Sequence, residues 1–166
     1  MNPYLEDIRA IRPTLEEAYP RLAILKRRSG RYVDRLADIQ QTARQAADVH
    51  IRPIALDLDR RIGEDPRYFD RSVLDFMMDN HYLSFMIPKA YGGQGCLATE
   101  MCILMEELCS ACAGIANIIG AHHLGMAGLL MSLDLAVIDR IFPEIVAGEK
   151  RRQPVLLSAA TLALFK

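Results

Sequence analysis

Apolar side chains recur every three or four residues along most of this chain, the period of one helix face. The longest run is Val33, Leu36, Ile39, Ala43, Ala47, Ile51, Ile54, Leu58 and Ile62, which predicts a long helix over 31–62. Pro53 falls inside it, lacks an amide hydrogen and crowds the preceding turn, so a kink or break is expected near Ile51. Gly63 and Pro66 end the element. Upstream, residues 3–29 read as an appendage of two short helices. Pro3 suits a first turn, Pro13 interrupts, Thr14 and Glu17 form a capping box, and Gly30 is a stop. Downstream, Ser72 caps a short helix through Val73, Leu74, Phe76 and Met77, with Asn80 at its C-terminal end. Thr99 caps the next, through Leu108 to about Cys112, with Gly114 as a break or a weak point. A second apolar helix covers about 115–131. Asp134 caps a third, through Leu135, Val137, Ile138, Ile141 and Ile145, ending at Gly148. Residues 155–161 form a candidate strand. The pattern predicts an all-α helical bundle of about five to seven helices, with a long N-terminal helix and a possible short C-terminal strand.

Composition narrows the partners. At 166 residues and 51% hydrophobic content, the chain can bury one core. Trp is absent, so aliphatic residues and eight Met fill the helix interfaces. The formal net charge of −1 creates no field for nucleic acid or an anionic membrane. The N-terminus carries Glu6, Asp7 and Arg9 without an apolar run, so no signal peptide is read and a cytoplasmic location is expected. Between Leu108 and Leu133 there is no Asp, Glu, Lys or Arg. That run is long enough to span a bilayer. Ser110, Asn117, His122, His123 and four glycines within it favour a helix at the centre of a bundle instead.

Three local patterns could carry chemistry, and each has a plainer reading. Cys109 and Cys112 have the spacing of a redox or zinc pair, which Cys96, Cys102 or His122 could complete. The plainer reading is buried core thiols. His122 and His123 could supply a base, but adjacent helical residues diverge by about 100° and no orienting acid is near in sequence. One is expected to bond within the bundle, the other to face a cleft. Glu106 and Glu107 diverge in the same way, so one is expected in an ion pair and the other in solvent. There is no phosphate loop, nucleophile elbow or dinucleotide fingerprint.

The stretch Met86-Ile87-Pro88-Lys89-Ala90-Tyr91-Gly92-Gly93-Gln94-Gly95, followed by Glu106-Glu107-Leu108, resembles the N-terminal helical domain of the acyl-CoA dehydrogenase family. That domain carries Pro-x-x-Tyr-Gly-Gly-x-Gly and then a Glu-Glu-Leu helix. The run at 141–150 is similar to the helix that closes it, and the resemblance covers 31–161. It implies an FAD enzyme that removes an α-proton and a β-hydride from an acyl-CoA thioester, with the base and most flavin contacts in later domains. It makes Ala116, Gly120 and Leu124 the positions facing the end of the acyl chain. The alternative is that the small residues there simply allow close helix packing. Thr161 would stand for a flavin-contacting threonine, although Leu162 and Ala163 replace the family's Glu-Pro.

The resulting layout is an appendage at 1–30, the helical domain at 31–153 and a truncated start of a β-domain at 154–166. The expected function is an acyl-pocket wall, inactive as an isolated chain, with no catalytic residue and no metal. The apolar surface over 108–133 is expected to drive self-association or to take a partner chain. The rival reading is a stand-alone helical interaction module that has lost the chemistry. A third reading is a metal or redox protein built on Cys109 and Cys112.

Overall fold

The computed structural model describes residues 12–157. Seven α-helices lie among them: α1 (Leu15–Ala18), α2 (Leu22–Ala46), α3 (Ala55–Glu64), α4 (Arg71–Asp79), α5 (Ala98–Ala111), α6 (Ala113–Ser132) and α7 (Leu135–Lys150). A π-helical turn (Ala47–Ile51) follows α2, and a 3-10 turn (Lys89–Tyr91) precedes α5. The described residues contain no strand, in keeping with an all-α fold. Residues 155–157 are irregular; the rest of the candidate strand, with Thr161, lies outside the described residues, as does Pro3. The chain divides into two compact units, Met1–Thr42 and Ala43–Lys166.

In the first unit, Thr14 and Glu17 form the expected capping box. The Thr14 N–H donates to Glu17 Oε2 at 2.7 Å, and the Glu17 N–H donates to Thr14 Oγ1 at 3.4 Å. Lys26 pairs with Glu16 across the α1–α2 turn. The break expected near Gly30 is present one residue earlier: Ser29 (φ −144°, ψ 56°) is non-helical, so α2 is two helical segments joined at a kink. Gly30 itself does not turn to positive φ, the usual way a glycine ends a helix.

The break expected from Pro53 is present. Unable to donate and crowding the turn before it, the proline widens the ladder into the π turn, where the Arg52 N–H reaches Ala47 O at 2.8 Å. The helix resumes as α3, no residue of which is buried. Near its end, Gly63 has nothing within 4 Å of where a Cβ would lie. Gly63→Ala should therefore raise stability by about 0.5 kcal/mol, chiefly by restricting the unfolded chain. Urea unfolding checks this, and a loss of stability would contradict it.

Two cap assignments change. Asp70, not Ser72, caps α4: its Oδ1 accepts the Ser72 N–H at 2.9 Å. Leu97 occupies the cap position of α5, where the Glu100 carboxylate takes its N–H at 3.1 Å and Thr99 sits inside the first turn. Asn80 ends α4 and Asp134 caps α7, both as expected. The α5–α6 break falls at Cys112 (φ −160°, ψ 110°), two residues before Gly114. The helix α7 runs two residues past Gly148, to Lys150.

Within the second unit, α5 packs on α6 and on the π turn, while α7 packs on α6 and on the 3-10 turn. Ile115, Ile119, Met126, Leu104, Leu108, Phe142 and Ile145 fill the core. Glu107 forms a fork with Arg44 (2.7 and 3.0 Å), and Arg52 donates to Ser110 O (3.1 Å), fastening the end of α2 and the π turn to α5. Glu107 is buried and Glu106 exposed, the division the helix geometry requires.

Candidate functional site

The glycine motif builds a folded-back loop. Gly92 (φ 85°) and Gly95 (φ 66°) take left-handed conformations open to glycine at little cost. Gly93 is needed for a different reason: a Cβ there would lie 2.3 Å from Ile87 O. The loop returns onto the preceding segment through Gln94 N–H to Ser84 O (3.1 Å) and Cys96 N–H to Phe85 O (3.0 Å). Tyr91 donates its hydroxyl to Asp139 Oδ1 on α7 at 2.5 Å, which raises the phenol pKa. The motif is thus a scaffold, and what it seats is the turn at 81–84.

That turn covers both histidines of α6. His122 Nε2 meets Leu83 O at 2.9 Å, and His123 Nε2 meets Tyr82 O at 2.7 Å. Two successive carbonyls face two successive imidazoles. The expectation that one histidine faces a cleft is therefore overturned, since both are buried. Burial lowers both pKa values, that of His123 to about 4, with the neighbouring His122 contributing. Glu149 of α7 holds the turn from the other side, accepting from Leu83 N–H (3.1 Å) and Ser84 Oγ (2.6 Å).

The low pKa of His123 carries a pH prediction. Above pH 6.5 the ring is neutral whether the chain is folded or unfolded, so stability is at its full value. As pH falls from 6.5 to about 4 only the unfolded ring takes a proton, and about 3 kcal/mol is lost; below that the loss stops growing. Thermal melts from pH 8 to 4 check this, and His123→Gln should flatten much of the slope.

The predicted pocket residues take three different environments. Ala116 is fully buried; Gly120 is half-buried, with Met105 Cε of α5 3.1 Å from where its Cβ would lie; Leu124 is 72% exposed. Each i,i+4 step turns a helix by about 40°, so the three spiral from the core to the surface. A coherent outer face lies beside them: Asn117, Ala121, Leu124, Gly128 and Met131 are all exposed at helical spacing. Leu133 and Leu135 extend it, at 77% and 64% exposure. This face was not singled out from the sequence. By length and composition α6 could cross a membrane, yet its inner side is core of the bundle.

Two cavities lie nearby. One of about 350 Å³ is lined by His50, Ile51, Asp75, Phe76, Asp79 and Ile115 among others. One of about 210 Å³ is lined mainly by Leu58, Ile62, Phe69, Val73, Cys112 and Ile118. Neither includes Ala116, Gly120 or Leu124. Among the described residues of the second unit, the buried side-chain atoms without a hydrogen-bond partner are Tyr82 Oη and His123 Nδ1, and neither residue lines either of these two cavities. Neither cavity thus presents an orphaned buried polar group to which a flavin would bond.

The cysteines also depart from expectation. Cys96 is a buried core thiol, but Cys102 and Cys109 are exposed and Cys112 is half-buried. The buried stripe of α5 follows Ile103, Leu104 and Leu108, which leaves 102 and 109, one heptad apart, on the far side. No cluster of three or more His, Cys, Asp or Glu suited to a metal occurs among the described residues.

The family model of the acyl-CoA dehydrogenase N-terminal domain matches residues 34–149. A Mycobacterium leprae protein named probable acyl-CoA dehydrogenase is 26% identical over 110 residues, 66% of this chain and 27% of that protein. A 3-sulfinopropanoyl-CoA desulfinase of Variovorax paradoxus is 27% identical over 114 residues, 68% of this chain and 27% of its own length. A desulfinase of the same name from Cupriavidus necator is 30% identical over 95 residues, 57% of this chain and 23% of its own. The chain spans about a quarter of the length of these curated relatives. No solved structure matches.

Proposed function

Because the chain belongs to the acyl-CoA dehydrogenase family through its N-terminal domain, we propose that it forms the helical wall of a pocket for an acyl-CoA thioester. The outer face of α6 is the surface turned toward the remainder of such an enzyme. The observation that carries this reading is the exposed stripe on which the large Leu124 and Met131 alternate with the small Ala121 and Gly128. Leu124 contributes apolar lining, while Ala116 and Gly120 set how closely α5 and α6 approach.

The relatives' names support the substrate class more firmly than the reaction. A dehydrogenase and a desulfinase share a CoA thioester and differ in the bond broken. Dehydrogenation with FAD, the family's usual chemistry, is the reading adopted for the complete enzyme, with the base supplied by a later domain as the family resemblance implies. The free thiols suit a reducing, cytoplasmic setting.

Reconstitution tests the proposal. Co-expressed with the remaining three quarters of the Mycobacterium leprae relative, the chain should co-purify in a complex with flavin absorbance, whereas the chain alone with added FAD should show none. Failure to co-purify, or flavin bound by the chain alone, would contradict it. A clean, non-associating monomer would favour the stand-alone interaction module instead.

A further inference from the structure

We propose that His122 is a proton-operated latch: when neutral it holds the strap formed by residues 151–157 against α6, and when protonated it releases the strap's distal end. The geometry is specific. His122 Nδ1 accepts the Leu157 N–H at 3.0 Å, while Nε2 faces Leu83 O at 2.9 Å. An acceptor at Nδ1 and a donor at Nε2 define one neutral tautomer. A proton added at Nδ1 sets N–H against N–H, so the Leu157 bond is lost, while the Nε2–H bond to Leu83 O is kept. The strap opens and the 81–84 turn stays.

The proximal end of the strap is held independently. The Gln153 N–H donates to Gly148 O at 2.8 Å, and Arg152 pairs with Asp75 (3.1 Å) and with Asp79. Opening is thereby confined to the distal residues. Leu157, only 3% exposed when latched, is the side chain uncovered.

The groups that face His122 are few. His123 lies beside it on α6, ring centroids 5.2 Å apart. Tyr82 and His81 belong to the turn, and Glu149 reaches that turn from α7 through Leu83 N–H and Ser84. The strap's own charges are engaged elsewhere, Arg151 with Glu144 and Arg152 with the two aspartates. Burial lowers the His122 pKa, so the latch is closed at neutral pH and opens on the acid side of 6.5. His123 differs because its Nδ1 has no partner, so its protonation breaks no bond to the strap.

The test is amide hydrogen exchange on the 166-residue chain between pH 7.5 and 5, with the His122 ring titrated by NMR in the same samples. The protection factor of the Leu157 amide should fall by about tenfold, the worth of one hydrogen bond. The fall should follow the His122 titration and set in at higher pH than any fall at the Ile119 and Met126 amides, which report the global loss expected from His123. His122→Asn retains an acceptor at the Nδ1 position and cannot titrate, so Leu157 protection should be flat in that variant. Unchanged Leu157 protection while His122 titrates would overturn the proposal. So would an identical fall in the Asn variant, or loss of Leu157 and core amides together. If the Asn variant does not fold, the wild-type comparison of Leu157 with Ile119 and Met126 still decides.

Discussion

Gly93→Ala is expected to lower the unfolding free energy by about 4 kcal/mol, at the upper end of overpacking costs. The new methyl would sit 2.3 Å from Ile87 O and 2.5 Å from Ile87 Cβ, and a backbone oxygen cannot rotate aside as a side chain can. The neighbouring glycines provide the contrast. At Gly95 the obstacle is the flexible Lys89 side chain at 3.1 Å, and at Gly92 it is Val146 Cγ1 at 3.4 Å. Both cost mainly the left-handed backbone strain of about 1–2 kcal/mol. Chemical denaturation of the three alanine variants should therefore rank Gly93 far above Gly95 and Gly92. Equal losses at the three positions would show that conformation, not close approach, governs the loop.

Glu149→Ala should cost about 3 kcal/mol, chiefly by stranding the Leu83 N–H and by reducing the Ser84 hydroxyl to its longer bond with His81 O. The Leu83 N–H and the Ser84 hydroxyl both donate to this carboxylate, which is 4% exposed, and Leu83 and Ser84 are themselves buried. Glu149→Gln keeps one acceptor oxygen and should recover part of the loss. The consequence extends to α6, because the turn that Glu149 fixes is the one whose carbonyls hold His122 and His123. Loss of protection at the 82–84 amides ahead of the rest of the core would show this path. A variant as stable as the parent would mean the turn is held by the glycine loop alone.

How much of this was legible in the sequence varied with the range of the interaction. Thr14, Asn80 and Asp134 announce their helix ends because capping is local side-chain chemistry. Where the structure places the cap two residues before the expected one, at Asp70 rather than Ser72 and at Leu97 rather than Thr99, the approach of the incoming loop decides, and periodicity does not report it. Pro53 located the break but not its form as a π turn. The glycine motif was visible, yet the demand at Gly93 comes from Ile87, which only the folded loop brings near. Within the charge-free run over 108–133, the stretch 115–131 was visible as an apolar helix. Both its faces are apolar, so no period separated the side bearing Ile115 and Ile119 from the side bearing Leu124 and Met131. Nothing near His122 or His123 in sequence marks the carbonyls of residues 82 and 83 as their partners. The thiols at 102 and 109 were misjudged because composition reports what cysteine prefers, not which helix face it occupies.

The outer face of α6 is the point on which the account as a whole turns, and light scattering on the 166-residue chain addresses it most directly. Parent chain and the double variant Leu124→Ser with Met131→Ser would be compared over a range of concentrations, with circular dichroism on the same samples. The account predicts concentration-dependent association of the parent, and a monomeric double variant with unchanged helicity and melting temperature. A parent that stays monomeric, or a double variant that unfolds because those side chains belong to the core, would contradict it.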